Sequence, residues 1–324
     1  MSAGSVVSAG PKGTLYYRHR LPVRIMHWVN VICLTILLMT GFGIFNAHPS
    51  LYWGASSYTN HPAFLEITYR TRADAPPAAA AAAQTAAGEE EEEEAEEKPA
   101  DSTAPGSTPV ASTSPAKPTT EKVVILRAFG GEWQTTAFSG DSDKVNMIAF
   151  PSWLTIPGAY SLADARAWHF FFAWLFVING LLYVLYAFVS GHLRRDLSPD
   201  TTELRAIGAS IKDHLRFKHP TGEAAKRYNV LQKLAYLVVI FILLPLIVLM
   251  GMAMSPMLDT VITGWVDWFG GRQSARSIHF IVAWMLVAFV LIHVFEVIIS
   301  GLWNHLRSMI NGYFFIESEK SKSP

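Results

Sequence analysis

The chain is 324 residues long, 51% hydrophobic and only 16% charged, with 26 basic residues balanced by 26 acidic ones. Its single cysteine, Cys33, excludes an internal disulfide framework, a cysteine-based zinc site and a four-thiolate iron–sulfur cluster. The even balance hides a partition: windows 22–45, 164–191, 229–254 and 276–303 are nearly free of charge, and each holds the ~20 apolar residues that a bilayer crossing requires.

A short basic leader, residues 1–21, carries Arg18 and Arg20 ahead of the first predicted span, 22–45. No small-residue cleavage site follows, so this span is expected to stay on the protein. The outer connection, 46–163, is the unusual part. Its middle, 75–120, runs through alanine, then a glutamate block from Glu89 to Glu97, then Ser, Thr and Pro. With almost nothing to bury it cannot offset its ordering entropy and is expected to be disordered, as a solvated spacer or an acidic docking arm. The stretches around Tyr52 and Trp53, from Val123 to Phe129 and from Pro151 to Tyr160 are rich in aromatics. They are expected on the outer membrane face, as headgroup anchors, as a platform for a partner subunit, or both.

The second span, 164–191, leads into a basic connection, 192–228, with Arg194, Arg195, Arg205, Lys212, Arg216, Lys218, Lys226 and Arg227. The third span, 229–254, contains Pro245, which predicts a kink near Leu244 that a membrane helix tolerates. A short connection, 255–275, precedes the fourth span, 276–303, and the tail, 304–324, adds Arg307, Lys320 and Lys322. By the positive-inside rule both termini and the middle connection are cytoplasmic. Runs such as Leu231 to Gly251, apolar almost all round, argue against a soluble helical protein. The expected fold is all-α: an integral membrane four-helix bundle with a long, partly disordered outer loop.

Imidazoles inside a membrane are costly and usually face a bundle interior. His279 and His293 stand fourteen residues apart in the fourth span, ~21 Å along the axis and only ~40° apart around it. His169, near the outer end of the second span, matches the depth of His279; His27, near the inner end of the first, matches His293. Two imidazoles per haem iron leave no open position, which suits outer-sphere electron transfer. Without a Cys-x-x-Cys-His attachment signature, any such haem is b-type, held by axial ligands alone. Gly41, fourteen residues beyond His27, and Gly180, eleven beyond His169, fall on the histidine faces at the opposite depths, where a backbone can approach a flat porphyrin. They equally suit ordinary helix packing. Arg20 and Arg24 are within reach of propionates as well as being orientation signals. His19 and His305 are the alternative inner ligands; His48, His61, His192, His214 and His219 look like boundary or loop residues. Glu296, one turn beyond His293, is a proton-relay candidate or the partner of a basic residue.

Arg24-Ile-Met-His27-Trp28 opening the first span, Trp168-His169 in the second, Arg227-Tyr-Asn229-Val-Leu-Gln232-Lys233 at the third and the His279/His293 pair in the fourth form an ordered set. The set resembles the bacterial cytochrome b561-like superfamily, the b-type cytochrome subunits of formate dehydrogenase, nickel–iron hydrogenase and, closest in look, thiosulfate reductase. The resemblance covers all four spans but not the outer loop. It implies two b haems, His27 and His293 holding the inner one and His169 and His279 the outer, in a bacterial inner membrane. It also implies quinone exchange beside the inner haem, with Asn229 and Gln232 in the quinone signature. The implied function is electron transfer between the quinone pool and a periplasmic catalytic subunit, a molybdopterin oxidoreductase. The alternative is a standalone quinone-reactive cytochrome acting on a small diffusible species, as superoxide-oxidising relatives do. Lipid surrounds the spans and no nucleic-acid partner is expected.

Overall fold

The computed structural model of the chain describes residues 6–8, 13–57, 62–71, 122–134, 149–158, 161–216 and 229–317. The insertion expected over 75–120 lies outside them, as do His61 and His219. The chain divides into two compact units, one of residues 1–44, 51–62 and 152–324, the other of residues 45–50 and 63–151.

The larger unit opens with strands β1 (Val6–Ser8) and β2 (Gly13–Tyr17) and enters α1 (Leu21–Ala47). α2 (Leu162–Val189) starts at Ser161, whose hydroxyl accepts from the Asp164 amide at 3.3 Å and places a carboxylate in the positive first turn. A π-helical turn (Leu193–Leu197) and two short helices, α3 (Thr201–Arg205) and α4 (Ile207–Leu215), follow in the basic connection. The third span is α5 (Val230–Ala253). Pro245 cannot donate to the preceding turn. The helix does not break there; it widens into a π-turn over Val239–Leu243 and resumes as an α-helix at Leu244. Short α6 (Pro256–Val261) leads to α7 (Arg272–Ile299), then α8 (Leu302–Asn311) and strand β7 (Tyr313–Glu317).

α7 lies further toward the N-terminus than the predicted window at both ends. Its first turn is capped from the loop at residues 52–57: the Gly54 carbonyl accepts from the Gln273 and Ser274 amides, both at 3.1 Å, and the Ser277 hydroxyl donates to the Tyr52 carbonyl at 2.6 Å. Gly271 permits this approach, because its φ is +93° and a Cβ there would fall 2.6 Å from the Ala55 Cα. At the other end Gly301, with φ +106°, turns the chain out of α7 into α8.

α1, α2, α5 and α7 are each long and apolar enough to cross a membrane, and their most apolar windows are only 11–22% buried within the chain. Side chains such as Phe171, Trp174, Leu185 and Val189 point outward. Such continuous apolar surface is incompatible with water as the surrounding solvent and suits a bilayer. α5 and α7 pack directly through Leu243, Val282 and Leu286, and nearer the other end through Met250, Ala253 and Ala275 with Trp265 and Val266.

The sequence reading did not anticipate the strands. β1, β2 and β7 form an antiparallel sheet in which Gly13 pairs with Glu317 and Tyr17 with Tyr313. In the smaller unit, β4 (Leu65–Thr71), β5 (Lys122–Ala128) and β6 (Gly131–Gln134) form an antiparallel meander with Leu65 opposite Ala128 and Ala128 opposite Gly131; β3 (Ser50–Leu51) lies at its edge. The helices remain the dominant structure.

Candidate functional site

α1 and α2 run antiparallel and are joined by two polar latches. The Asn179 amide donates to the Asn30 side-chain oxygen at 2.7 Å and to the Met26 carbonyl at 3.0 Å. Ten residues away on each helix, ~15 Å along the axis, Thr40 Oγ1 meets His169 Nδ1 at 2.9 Å. Unpaired polar groups are expensive in hydrocarbon, so these contacts fix which faces of α1 and α2 meet.

His169 on α2 and His279 on α7 face each other with ring centres 6.3 Å apart and planes inclined at 58°. Their hydrogen bonds define their tautomers. Thr40 is fully buried, and its one hydroxyl proton goes to the Ile36 carbonyl at 2.7 Å. In that arrangement the hydroxyl accepts from His169 Nδ1–H at 2.9 Å. His279 Nδ1 donates to the Ile247 carbonyl on α5 at 2.9 Å. With both Nδ1 atoms protonated, both Nε2 lone pairs are left for a ligand.

A metal held between two such nitrogens at ~2.0–2.1 Å sets the imidazole centres about 6–6.5 Å apart, which matches the observed gap. Among the described residues no cluster of three or more His, Cys, Asp or Glu converges on a metal position. The two imidazoles alone would not complete an ion's coordination, and a group that carries its own nitrogen donors, as a haem does, would suit them. Two glycines keep backbone close to these rings. A Cβ on Gly41 would lie 3.7 Å from His169 Cε1, and one on Gly251 would lie 3.4 Å from His279 Cε1. Gly251 stands one turn beyond Ile247 on α5 and lets the His279 ring reach that carbonyl. The residues present fit a bis-imidazole haem.

The inner histidines are arranged differently. His293 on α7 stacks against Phe289 at 6.0 Å and meets Tyr236 edge-on at 6.5 Å. It is an electrostatic neighbour of His27. His27 Nδ1 is buried with no hydrogen-bond partner among the described residues. Gly180 lies next to the Asn179 latch, at the level of Met26, and a Cβ there would meet nothing within 4 Å. Arg24 donates to the Ile310 carbonyl at the end of α8, and Trp28 Nε1 to Met309 at 3.1 Å, while Arg24 Nε stays buried without a partner among the described residues. His19 and His305 gather in the same region. Burial, then Arg18, then His27, His305 and His192 push the His19 pKa down to about 3. The His305 ring and the Arg18 guanidinium both pack on Phe314, at 5.1 and 4.9 Å.

Asn229 and Gln232 form the capping box of α5. Asn229 Oδ1 accepts from the Leu231 amide at 3.2 Å and Gln232 Oε1 from the Asn229 amide at 3.3 Å, and their NH₂ groups make no hydrogen bond among the described residues. Glu296 is half-buried one turn beyond His293. Sequence reasoning carried Lys233 only as part of the third-span signature and missed its pairing: Lys233 sits nearly buried at the head of α5 with its ammonium 2.8 Å from both Glu203 oxygens. It also missed Thr40, Asn179 and Gly251. The available signal was a polar or small residue inside an otherwise apolar run, without an indication of its partner.

The chain matches the family described as prokaryotic cytochrome b561 over residues 18–67 and 124–312, a range that contains His27, His169, His279, His293, Asn229, Gln232 and Glu296 and omits the acidic insertion. It is also similar to a protein of Azospira oryzae provisionally named protein-methionine-sulfoxide reductase subunit YedZ1. The two are 35% identical over 156 residues, 47% of this chain and 73% of that protein. No solved structure matches.

Proposed function

The chain belongs to the prokaryotic cytochrome b561 family and is thus a membrane b-type cytochrome; from that premise we propose that it carries two non-covalent haems and passes electrons between quinone and a periplasmic redox subunit. His169 and His279 hold the outer haem, His27 and His293 the inner one. The observation that carries this reading is the outer pair: two imidazoles at the spacing of a shared metal, each with its second nitrogen already committed to a buried acceptor. Each haem, when bound, supplies a one-electron carrier closed to added ligands. Both termini are cytoplasmic in the inner membrane, from the distribution of Lys and Arg.

Quinol gives up two electrons and two protons, so a site beside the inner pair needs hydrogen-bond donors and a proton acceptor. The NH₂ groups of Asn229 and Gln232 orient the quinone carbonyl, and the half-buried carboxylate of Glu296 takes a proton at its oxygen. Arg24 and Gly180 lie at the inner level and Gly41 at the outer, where they hold propionate or make room for porphyrin. The likeness to a subunit named for a reductase favours a separate catalytic polypeptide as partner; its assignment to the molybdopterin class rests on the family resemblance alone.

The test is spectral. Haem from the purified chain should be fully extractable into acidified organic solvent at two per polypeptide. His169→Ala and His279→Ala should abolish one b-type component, and His27→Ala and His293→Ala the other. Asn229→Leu should keep both while slowing reduction by a quinol analogue several-fold, the worth of one neutral hydrogen bond at roughly 0.5–1.5 kcal/mol. A stoichiometry near one, or loss of the same component from His169→Ala and His293→Ala, would overturn the assignment.

A further inference from the structure

We infer that Thr40 is a positioning residue for the outer haem: its hydroxyl locks His169 in the Nδ1–H tautomer, presents Nε2 to the iron, and strengthens that nitrogen as a donor. The inference rests on the assignment of His169 and His279 as the outer ligands. It follows from one hydroxyl whose proton is already spent. Thr40 is completely buried on α1 and donates to the Ile36 carbonyl at 2.7 Å, with the Leu37 carbonyl at 3.1 Å, as a threonine in an apolar helix commonly does. A hydroxyl has one proton, and with that proton on the Ile36 carbonyl it accepts from His169 Nδ1–H, 2.9 Å away.

An imidazole that donates from its second nitrogen is a more basic ligand, and a more basic axial ligand favours ferric over ferrous iron. The outer site is built this way on both sides, since His279 Nδ1 donates to the Ile247 carbonyl at 2.9 Å. The inner site lacks the equivalent at His27, whose Nδ1 has no partner among the described residues. The two haem positions therefore differ in the support behind their ligands. Among the described residues, Thr40 is the outer support that is a side chain and so can be removed without altering the backbone.

Thr40→Val keeps the shape and suits a membrane helix; Thr40→Ser keeps the hydroxyl. In Thr40→Val the midpoint potential of the component that His169→Ala abolishes should rise, and affinity for that haem should fall. A change near the lower end of the 10–100-fold range typical of such partners is expected, because the Leu37 carbonyl remains beside the ring as a weaker acceptor. Thr40→Ser should restore both, and the inner component should keep its potential throughout. If His169→Ala leaves both haems in place, the ligand assignment has failed. If His169→Ala removes one component but Thr40→Val leaves its potential and affinity unchanged, the role of Thr40 is overturned. Equal shifts in both components, or no rescue by Ser, would also overturn it by showing a packing effect.

Discussion

His19 sits just ahead of α1 in a crowd of positive and potentially positive groups, and burial is the main reason its pKa falls to about 3. In an unfolded chain the same imidazole titrates near 6.5. Between those values the unfolded state binds a proton that the folded state refuses, so stability is lost progressively as pH falls from about 6.5 toward 3. The melting temperature of the detergent-purified protein should fall over that window, and the fall should be shallower in His19→Asn; equal pH profiles would show that His19 carries a proton in the fold. The histidines were readable in advance because depth along a span follows from residue count and orientation from Lys and Arg. The residues that finish the outer site were not. Thr40, Ile247 and Gly251 acquire their roles only from the helix each one happens to face, and one-dimensional periodicity does not specify that.

The antiparallel pairing of α1 and α2 is fixed in register by a few polar atoms in lipid, while Phe171, Trp174 and Leu185 point outward. Asn179→Leu removes the bonds to Asn30 and Met26 and leaves the Asn30 oxygen without its donor. Interhelical hydrogen bonds in membranes average about 0.6 kcal/mol with a maximum near 1.7, so a loss of about 1 kcal/mol is expected in denaturant titrations of the solubilised protein, with Asn30→Leu close to non-additive. Other elements were legible to different degrees. The four spans declared themselves by length and apolar content, and Pro245 announced an irregularity that the helix absorbs as a π-turn. The meander of β4, β5 and β6 was hidden because β4 and β5 are separated by the whole insertion, and a short run such as Val123 to Leu126 does not name its partner.

Across the whole molecule, the sheet of β1, β2 and β7 ties a segment before the first span to one after the last. A chain whose two ends share a sheet crosses the bilayer an even number of times, which agrees with four apolar helices. Reporter fusions at residue 1 and residue 324 should therefore read the same side, the cytoplasm if the basic residues govern insertion; opposite readings would be incompatible with the sheet. Stopping the chain after Asn311 removes β7 and leaves β2 with an open edge, and the shortened protein should be more prone to aggregation.

That same sheet also sets a clock on biogenesis. Gly13 waits for Glu317, so the edge of β2 that takes β7 stays unpaired until nearly the whole sequence has been translated, and at ~5–20 residues per second that interval is roughly 15–60 s. During it α1 is not yet fastened to the end of α8 through Arg24 and Trp28, and the first and last helices are free to part. The gap between them closes when the latch is set, which makes the order of insertion and closure a property of the topology itself.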